Sequence, residues 1–318
     1  MKLHSLSISG LATLDMHALN NEGSEGNALM TRMVEIVDHA GKNHTVNAIS
    51  GDMLKHIQAE YLFRYAKENG LKLCGGCMTF DANRICADES FTKDPAFDKE
   101  TLDSIILNSA IQRCVIDDAE GILITSEIGK KRSIARKSCV EFGWVIGHPE
   151  TTRTESYFHA KYVPEGRGKG SGAGENLGQN IFHRPASSGQ YAVVANVDTF
   201  KVARNDITLE YAIDETERLL RVKALLTSVL NTFVRMNGAH RNTQHPHLVD
   251  FSGVISLSCS SMPAPSVSAL NGSYQSQIEG ICTQLNRVSP GKLEARRFSS
   301  LEQFTGVMAD VIEQVESV

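Results

Sequence analysis

Leu3, Leu6, Ile8 and Gly10 are set against polar neighbours, the period of a half-buried strand at the start of the chain. The polar, turn-rich run Leu19 to Asn27 breaks that pattern and reads as an ordered loop. Met33 to Val37 and Thr45 to Ile49 are expected as strands around a Gly41-Lys42-Asn43 turn. Ser50 is placed to cap a helix whose Leu54, Ile57, Tyr61 and Tyr65 recur at helical spacing as far as Asn69-Gly70. Residues 74 to 100 read as irregular. Gly121 to Thr125, Val140 to Ile146, Tyr157 to Val163, Tyr191 to Val197 and Val249 to Leu257 read as strands. Pro164 to Ser188 contains six glycines and no apolar period. Asp214 with Glu217 resembles a capping box, and Leu219, Val222, Leu226, Val229 and Phe233 give the helix behind it one apolar face. A further helix is expected through Leu270 to Leu285. Strands and helices alternate irregularly, which points to an α+β fold with insertions rather than a doubly wound parallel sheet.

Composition changes this picture little. At 318 residues, with 41% hydrophobic and 22% charged side chains, the chain can bury a full core. No apolar run is long enough to span a bilayer, and Met1-Lys2-Leu3-His4 does not lead into a signal-peptide core, so a cytoplasmic protein without a membrane partner is expected. Seven cysteines without framework spacing are read as reduced thiols.

The formal charge of −5 argues against non-specific nucleic-acid binding by the whole surface. Its distribution is uneven, however. Residues 81–121 hold ten acids against four bases, whereas residues 129–170 hold nine bases against four acids. An anion-binding face on an acidic protein is compatible with that asymmetry.

Candidate chemistry is sparse. Gly166-Arg167-Gly168-Lys169-Gly170 is not a phosphate loop, because Lys169 is followed by Gly170 and no helix pattern follows; a basic loop that orders against a polyanion fits better. Cys74 and Cys77 have the spacing of half a zinc site, with Cys86, Asp81 or His56 as completing ligands. Without a second such pair, ordinary thiols in a turn are the expectation and no metal or cofactor is assigned. His240, His245 and His247 lack a carboxylate partner at metal-binding spacing; Arg241, Asn242 and Thr243 beside them suit phosphate contacts. No nucleophile elbow is present.

Three stretches together resemble a known family. Ile8-Ser9-Gly10, Leu19 to Asn27 and Ile49 to His56 are similar to the N-terminal signature of the Cascade backbone subunit of type I CRISPR systems, the Cas seven or DevR family. Gln179 to Phe182, Ser187 to Tyr191 and Asn196 to Asp198 resemble its segment after the thumb, and Gly238 to His247 its late polar loop. The chain departs from the family at Asp52 and His56, where relatives often carry Gln and Arg.

The resemblance implies one domain over 1–318, an RRM-like (ferredoxin-like) antiparallel palm with a finger insertion at about 71–120 and a thumb at about 161–188. It implies a non-catalytic protein that multimerises head to tail along a CRISPR RNA, with a target DNA strand paired to the guide, other copies of itself and other Cascade subunits as partners. The implied RNA-binding residues are Asn20, Asn21, Ser50, Lys55, His56, His159, Lys161, Arg167, Lys169, Gln179, Ser187, Ser188, Gly189, Arg241, Asn242 and Thr243. Lys55 is expected to be an exposed point charge one turn into its helix, and Arg167 and Lys169 to serve a neighbour's RNA. The alternatives are a metal-dependent ribonuclease of the related target-cutting branch, with Asp15 as its acid, and a zinc-dependent regulatory or scaffolding protein.

Overall fold

The first alternating segment runs further than Gly10, and Ser5–His17 forms one strand, β1. Leu6, Ile8, Ala12 and Leu14 are fully buried on one face. Ser5, Ser7 and Ser9 are buried on the other because residues 264–267 cross it: Ser7 Oγ donates to Ala264 O at 2.9 Å, and Ala264 N and Val267 N donate to Ser5 Oγ and Ser9 Oγ. A serine on an expected solvent face thus satisfies a covering strap. This computed structural model describes residues 1–316 except 27, 39, 99, 126–127, 129–132, 163–178 and 238–242.

After β1 come β2 (Asn21–Glu25), β3 (Ala28–Thr31), β4 (Met33–Val37) and β5 (Asn43–Ile49), then α1 (Gly51–Glu68). The region 71–120 holds α2 (Gly75–Met78), a 3-10 turn at Arg84–Ala87, α3 (Glu89–Thr92), α4 (Asp103–Arg113) and α5 (Val115–Glu120). Short strands β6 (Ile122–Ile124), β7 (Ile134–Arg136), β8 (Val140–Phe142) and β9 (Val145–Gly147) lead to two long ones, β10 (Arg153–Tyr162) and β11 (Gln179–Val197). The chain ends with α6 (Glu215–Val234), β12 (His247–Ser258), α7 (Tyr274–Leu285), β13 (Leu293–Phe298) and α8 (Leu301–Gln314).

The fold is mixed α and β around one large, mainly antiparallel sheet. Its main path is β13-β12-β1-β11-β9-β5-β4, with β8, β10 and β3 also paired to β11. β1 lies at its centre, Leu6 opposite both Val197 and Leu257. Helices α1 and α6 cover one face, joined by Gln58 Nε2 donating to Ser228 Oγ at 2.7 Å, and Phe233, Phe251, Phe298 and Phe304 interlock beside them. A smaller cluster around Ile278, Tyr274 and Val254 lies under α7.

Both sequence-predicted helix caps are present. Ser50 Oγ accepts from Met53 N at 3.2 Å and Asp214 Oδ1 from Glu217 N at 2.9 Å, satisfying one of the unpaired donors of each first turn. The capping box is not reciprocal, since the Glu217 carboxylate serves Lys72 and Arg221 instead. Three expectations change. Val140 to Ile146, expected as one strand, is interrupted at Gly143-Trp144 and forms β8 and β9. The polar run after Leu19 contains strand β2 rather than only loop, and Gln179–Ser188, expected as loop, is the first half of β11.

The charge asymmetry is partly internal. Asp118, buried in α5, accepts from Arg136 Nη2 at 2.7 Å, Arg221 Nη1 at 3.1 Å and Ala203 N at 3.0 Å. A carboxylate so removed from water needs such partners. Arg136 and Asp118, counted above as surface charge, therefore neutralise one another in the core.

Candidate nucleic-acid interface

Asn20 follows the end of β1, and its side-chain oxygen accepts from the backbone N–H of Ser50 at 2.9 Å, which ties the strand end to the start of α1. Its carbonyl accepts from Thr31 Oγ1 at 3.0 Å. Asn47 donates to Thr31 Oγ1 and Arg32 O, and accepts from Tyr191 OH at 3.0 Å. This connected set holds two predicted residues, Asn20 and Ser50, in fixed positions. Both are buried, so each acts first through backbone geometry. The Arg32 guanidinium lies 5.2 Å from the centre of the Trp144 ring at the same end of the sheet.

Ser187, Ser188 and Gly189 reach the same strand end from β11. His17 pairs with Ser187 and Leu14 with Gly189; Met16 N donates to Ser188 Oγ at 2.9 Å, and Thr154 and Ser187 share a hydroxyl bond at 2.8 Å. Gly189 has φ +148°, and a Cβ there would lie 2.6 Å from Thr152 Cα, so only glycine lets the strands close here. His17 is enclosed beneath, edge-on to Tyr191, and burial lowers its pKa to about 4.

Beyond this junction β10 and β11 continue as a paired ribbon, bridged on its β11 side by Ala28 of β3 at His183. Paired residues share a face, so Tyr157 stands beside Arg184 and His159 beside Phe182. His159 stacks on Phe182 with ring centres 5.4 Å apart, and the Arg184 guanidinium lies 4.8 Å from the Phe182 ring centre. Arg184 Nη1 also donates to Thr243 Oγ1 at 2.9 Å, which brings the late polar loop to the ribbon. Among the described residues its partners are a hydroxyl and a ring face, and no carboxylate pairs with it there. Aromatic faces interleaved with a guanidinium suit a single-stranded nucleic acid, offering stacking to bases and charge to phosphates.

Sequence reasoning picked out His159 and Thr243 but missed Tyr157, Phe182 and Arg184. The period-two spacing of Tyr157 with His159 and of Phe182 with Arg184 carries that signal once both stretches are known to be strands.

Lys55 is not the exposed point charge expected. Its Nζ donates to Ser138 Oγ and, at 3.1 Å, to Val140 O, and lies 3.8 Å from Glu120 Oε2. Burial lowers the Lys55 pKa and raises that of Glu120. The ammonium is thus tied to the neighbouring β8 segment. His56, the next residue, is exposed. Arg167, Lys169, Arg241 and Asn242 lie outside the described residues, as do the side chains of Asn21, Lys161 and Gln179; of these last three the backbone belongs to β2, β10 and β11.

The sequence matches the family described as CRISPR-associated negative auto-regulator DevR/Csa2 over residues 8–278. The chain belongs to the DevR/Csa2 family. The match spans β1 to α7 and so includes the strand-end junction and the ribbon. No curated protein matches the sequence. Among solved structures, a chain of a "CRISPR RNA-guided surveillance complex, pre-nicking" is similar at 12% identity and a TM-score of 0.50, with 97% of this chain and 99% of that one covered. Another "CRISPR RNA-guided surveillance complex" chain gives 11% identity and 0.46, over 97% and 98%. Csc2 of Thermofilum pendens gives 12% and 0.39, over 95% and 80%. The first of these shows a shared fold for the DevR/Csa2 chain.

Proposed function

We propose that this chain is a non-catalytic CRISPR RNA-binding subunit that multimerises head to tail along a guide RNA as the backbone of a type I interference complex. Family membership over residues 8–278 carries the reading. The order β12-β1-β11 with β8 and β9 outside β11, α1 after β1 and α6 between β11 and β12, is taken as the RRM-like palm. The ribbon of β10 and β11 is then the stem of the thumb, the rest of which, residues 163–178, lies outside the described residues, and the helical region 71–120 is the finger. The partners are the guide RNA, the target DNA strand paired to it, further copies of the chain and other subunits of the complex, in the cytoplasm. The family is CRISPR-associated and the chain of similar fold comes from a CRISPR RNA-guided surveillance complex, which supports this assignment.

Asp15, the acid of the ribonuclease alternative, stands on β1 opposite His247, and among the described residues it joins no cluster of metal-ligating side chains. The test is to titrate the purified chain with RNAs of unrelated sequence over a range of salt, and to incubate the complexes with magnesium. Affinity should fall steeply with salt, vary little with sequence, and leave the RNA intact. Magnesium-dependent cleavage that Asp15→Ala abolishes would overturn the non-catalytic reading. Salt-independent or motif-specific binding would overturn the backbone-contact reading.

A further inference from the structure

Cys74 and Cys77 meet two groups that sequence spacing did not connect to them. The ligand atoms of Cys74, Cys77, Cys114 and Asp117 all lie within 4.8 Å of one another, and all four residues are buried. Cys74 and Cys77 belong to the turn and first residues of α2, Cys114 and Asp117 to the start of α5, and Val115 N donating to Lys72 O at 3.0 Å joins the two segments beside the cluster. Asp117 Oδ2 lies 3.2 Å from Cys74 Sγ and 3.8 Å from Cys77 Sγ. Cys86, Asp81 and His56, considered earlier as completing ligands, are not in this cluster; the Cys86 thiol faces Leu123 O instead.

We propose that Cys74, Cys77, Cys114 and Asp117 bind one structural zinc ion in a closed four-coordinate site. Ligands on a tetrahedron with zinc–sulfur bonds of about 2.3 Å and a zinc–oxygen bond of about 2.0–2.2 Å stand roughly 3.5–3.8 Å apart. The widest separation here, 4.8 Å, therefore closes to that geometry by a shift of about 1 Å. An independent observation points the same way: Asp117 Oδ1 is buried without a hydrogen-bond partner. A lone carboxylate among three thiols is costly in a sealed core and has no place in a disulfide, but it completes a zinc ligand set. The sulfurs also carry the supporting donors such ligands use, with Cys77 N directed at Cys74 Sγ (3.4 Å) and Asp117 N at Cys114 Sγ (3.5 Å). Gly76 belongs to the same construction: a Cβ there would lie 2.0 Å from Arg84 O, so glycine lets the turn pack against the following 3-10 segment. With four protein ligands and no open position the ion would be structural, and three thiols would release their protons to solvent as it binds. It would clip the 74–78 turn to the α4–α5 connection.

Metal analysis of the full chain, purified from zinc-supplemented culture, should find about one zinc per chain. Removal by a chelator should lower the thermal midpoint, and zinc chloride, but not magnesium chloride, should restore it. Cys114→Ser should lose the metal while Cys86→Ser retains it. Because Cys114→Ser could fail to fold, cobalt(II) exchanged into the wild-type protein provides the second measurement, with intense visible bands of tetrahedral cobalt and a thiolate charge-transfer band expected. Zinc below about a tenth of an equivalent with no uptake on reconstitution, a weak octahedral cobalt spectrum, or equal loss of metal in Cys86→Ser would each overturn the proposal.

Discussion

His17 accepts from Leu19 N at 3.5 Å through Nδ1, so the neutral ring carries its proton on Nε2, which is buried with no hydrogen-bond partner; a second proton would have to enter at Nδ1, displacing the Leu19 N–H and leaving a charge in the core. The folded pKa is about 4 against 6.5 in the unfolded chain. Between those values the unfolded chain binds more protons, so stability is fully present above pH 6.5 and is lost as pH falls toward 4. The loss from this one residue should be about 2 kcal/mol at pH 5. Urea midpoints from pH 7.5 to 5 should fall less in His17→Phe, whose ring can stay edge-on to Tyr191; parallel profiles for the two proteins would refute the assignment. Lys55 teaches the complementary lesson. Its position one turn into α1 is legible in the sequence, but its engagement with Val140 and Glu120 depends on strand β8 and helix α5, which are distant in the chain.

Among the elements, the β10–β11 ribbon makes the most direct prediction. Phe182→Ala removes the ring on which both His159 and Arg184 rest, and should weaken binding of RNAs of unrelated sequence alike by about 1–3 kcal/mol, measured by fluorescence anisotropy. Circular dichroism should be unchanged, since the pairing of β10 with β11 is made by backbone. A loss confined to one RNA sequence, or no loss, would remove the ring from the interface. Helices α1 and α6 were legible because a capping residue and an apolar stripe coincide in each. The first half of β11 was not, since Pro185 and Gly189 are residues that ordinarily argue against a strand interior. Pro185 lies in the ribbon, opposite Ser156, and Gly189 marks the crossing at Thr152. The 74–100 segment looked irregular because its helices are single turns, too short to show a period. Cys74 and Asp88 cap two of them, and neither the caps nor the spacing reveals that α5 supplies the rest of the thiol cluster.

For the molecule as a whole, the palm and the segment at 163–178 should be separable. Replacing Pro164 to Asn176 by a short Gly-Ser connection should leave the thermal transition unchanged, because the buried core lies in the sheet and its helices. If that segment reaches a neighbouring copy's RNA, the same change should abolish regular nuclease protection of long RNA; periodic protection that survives would sink the thumb assignment. The ribbon adds a dimension of its own. Ten paired residues on each side, at about 3.3 Å each, carry its far end roughly 30 Å from the strand-end junction. Because Gln179–Val197 is one uninterrupted strand, that reach is built into the same backbone that runs through the centre of the sheet. The ribbon is in effect a ruler graduated in residue pairs. Two residues added to each strand would lengthen it by about 7 Å with every side chain still on its present face, whereas one added to each would turn those beyond the insertion to the other side. In a filament of such subunits, the repeat along the RNA would be written in the length of two strands.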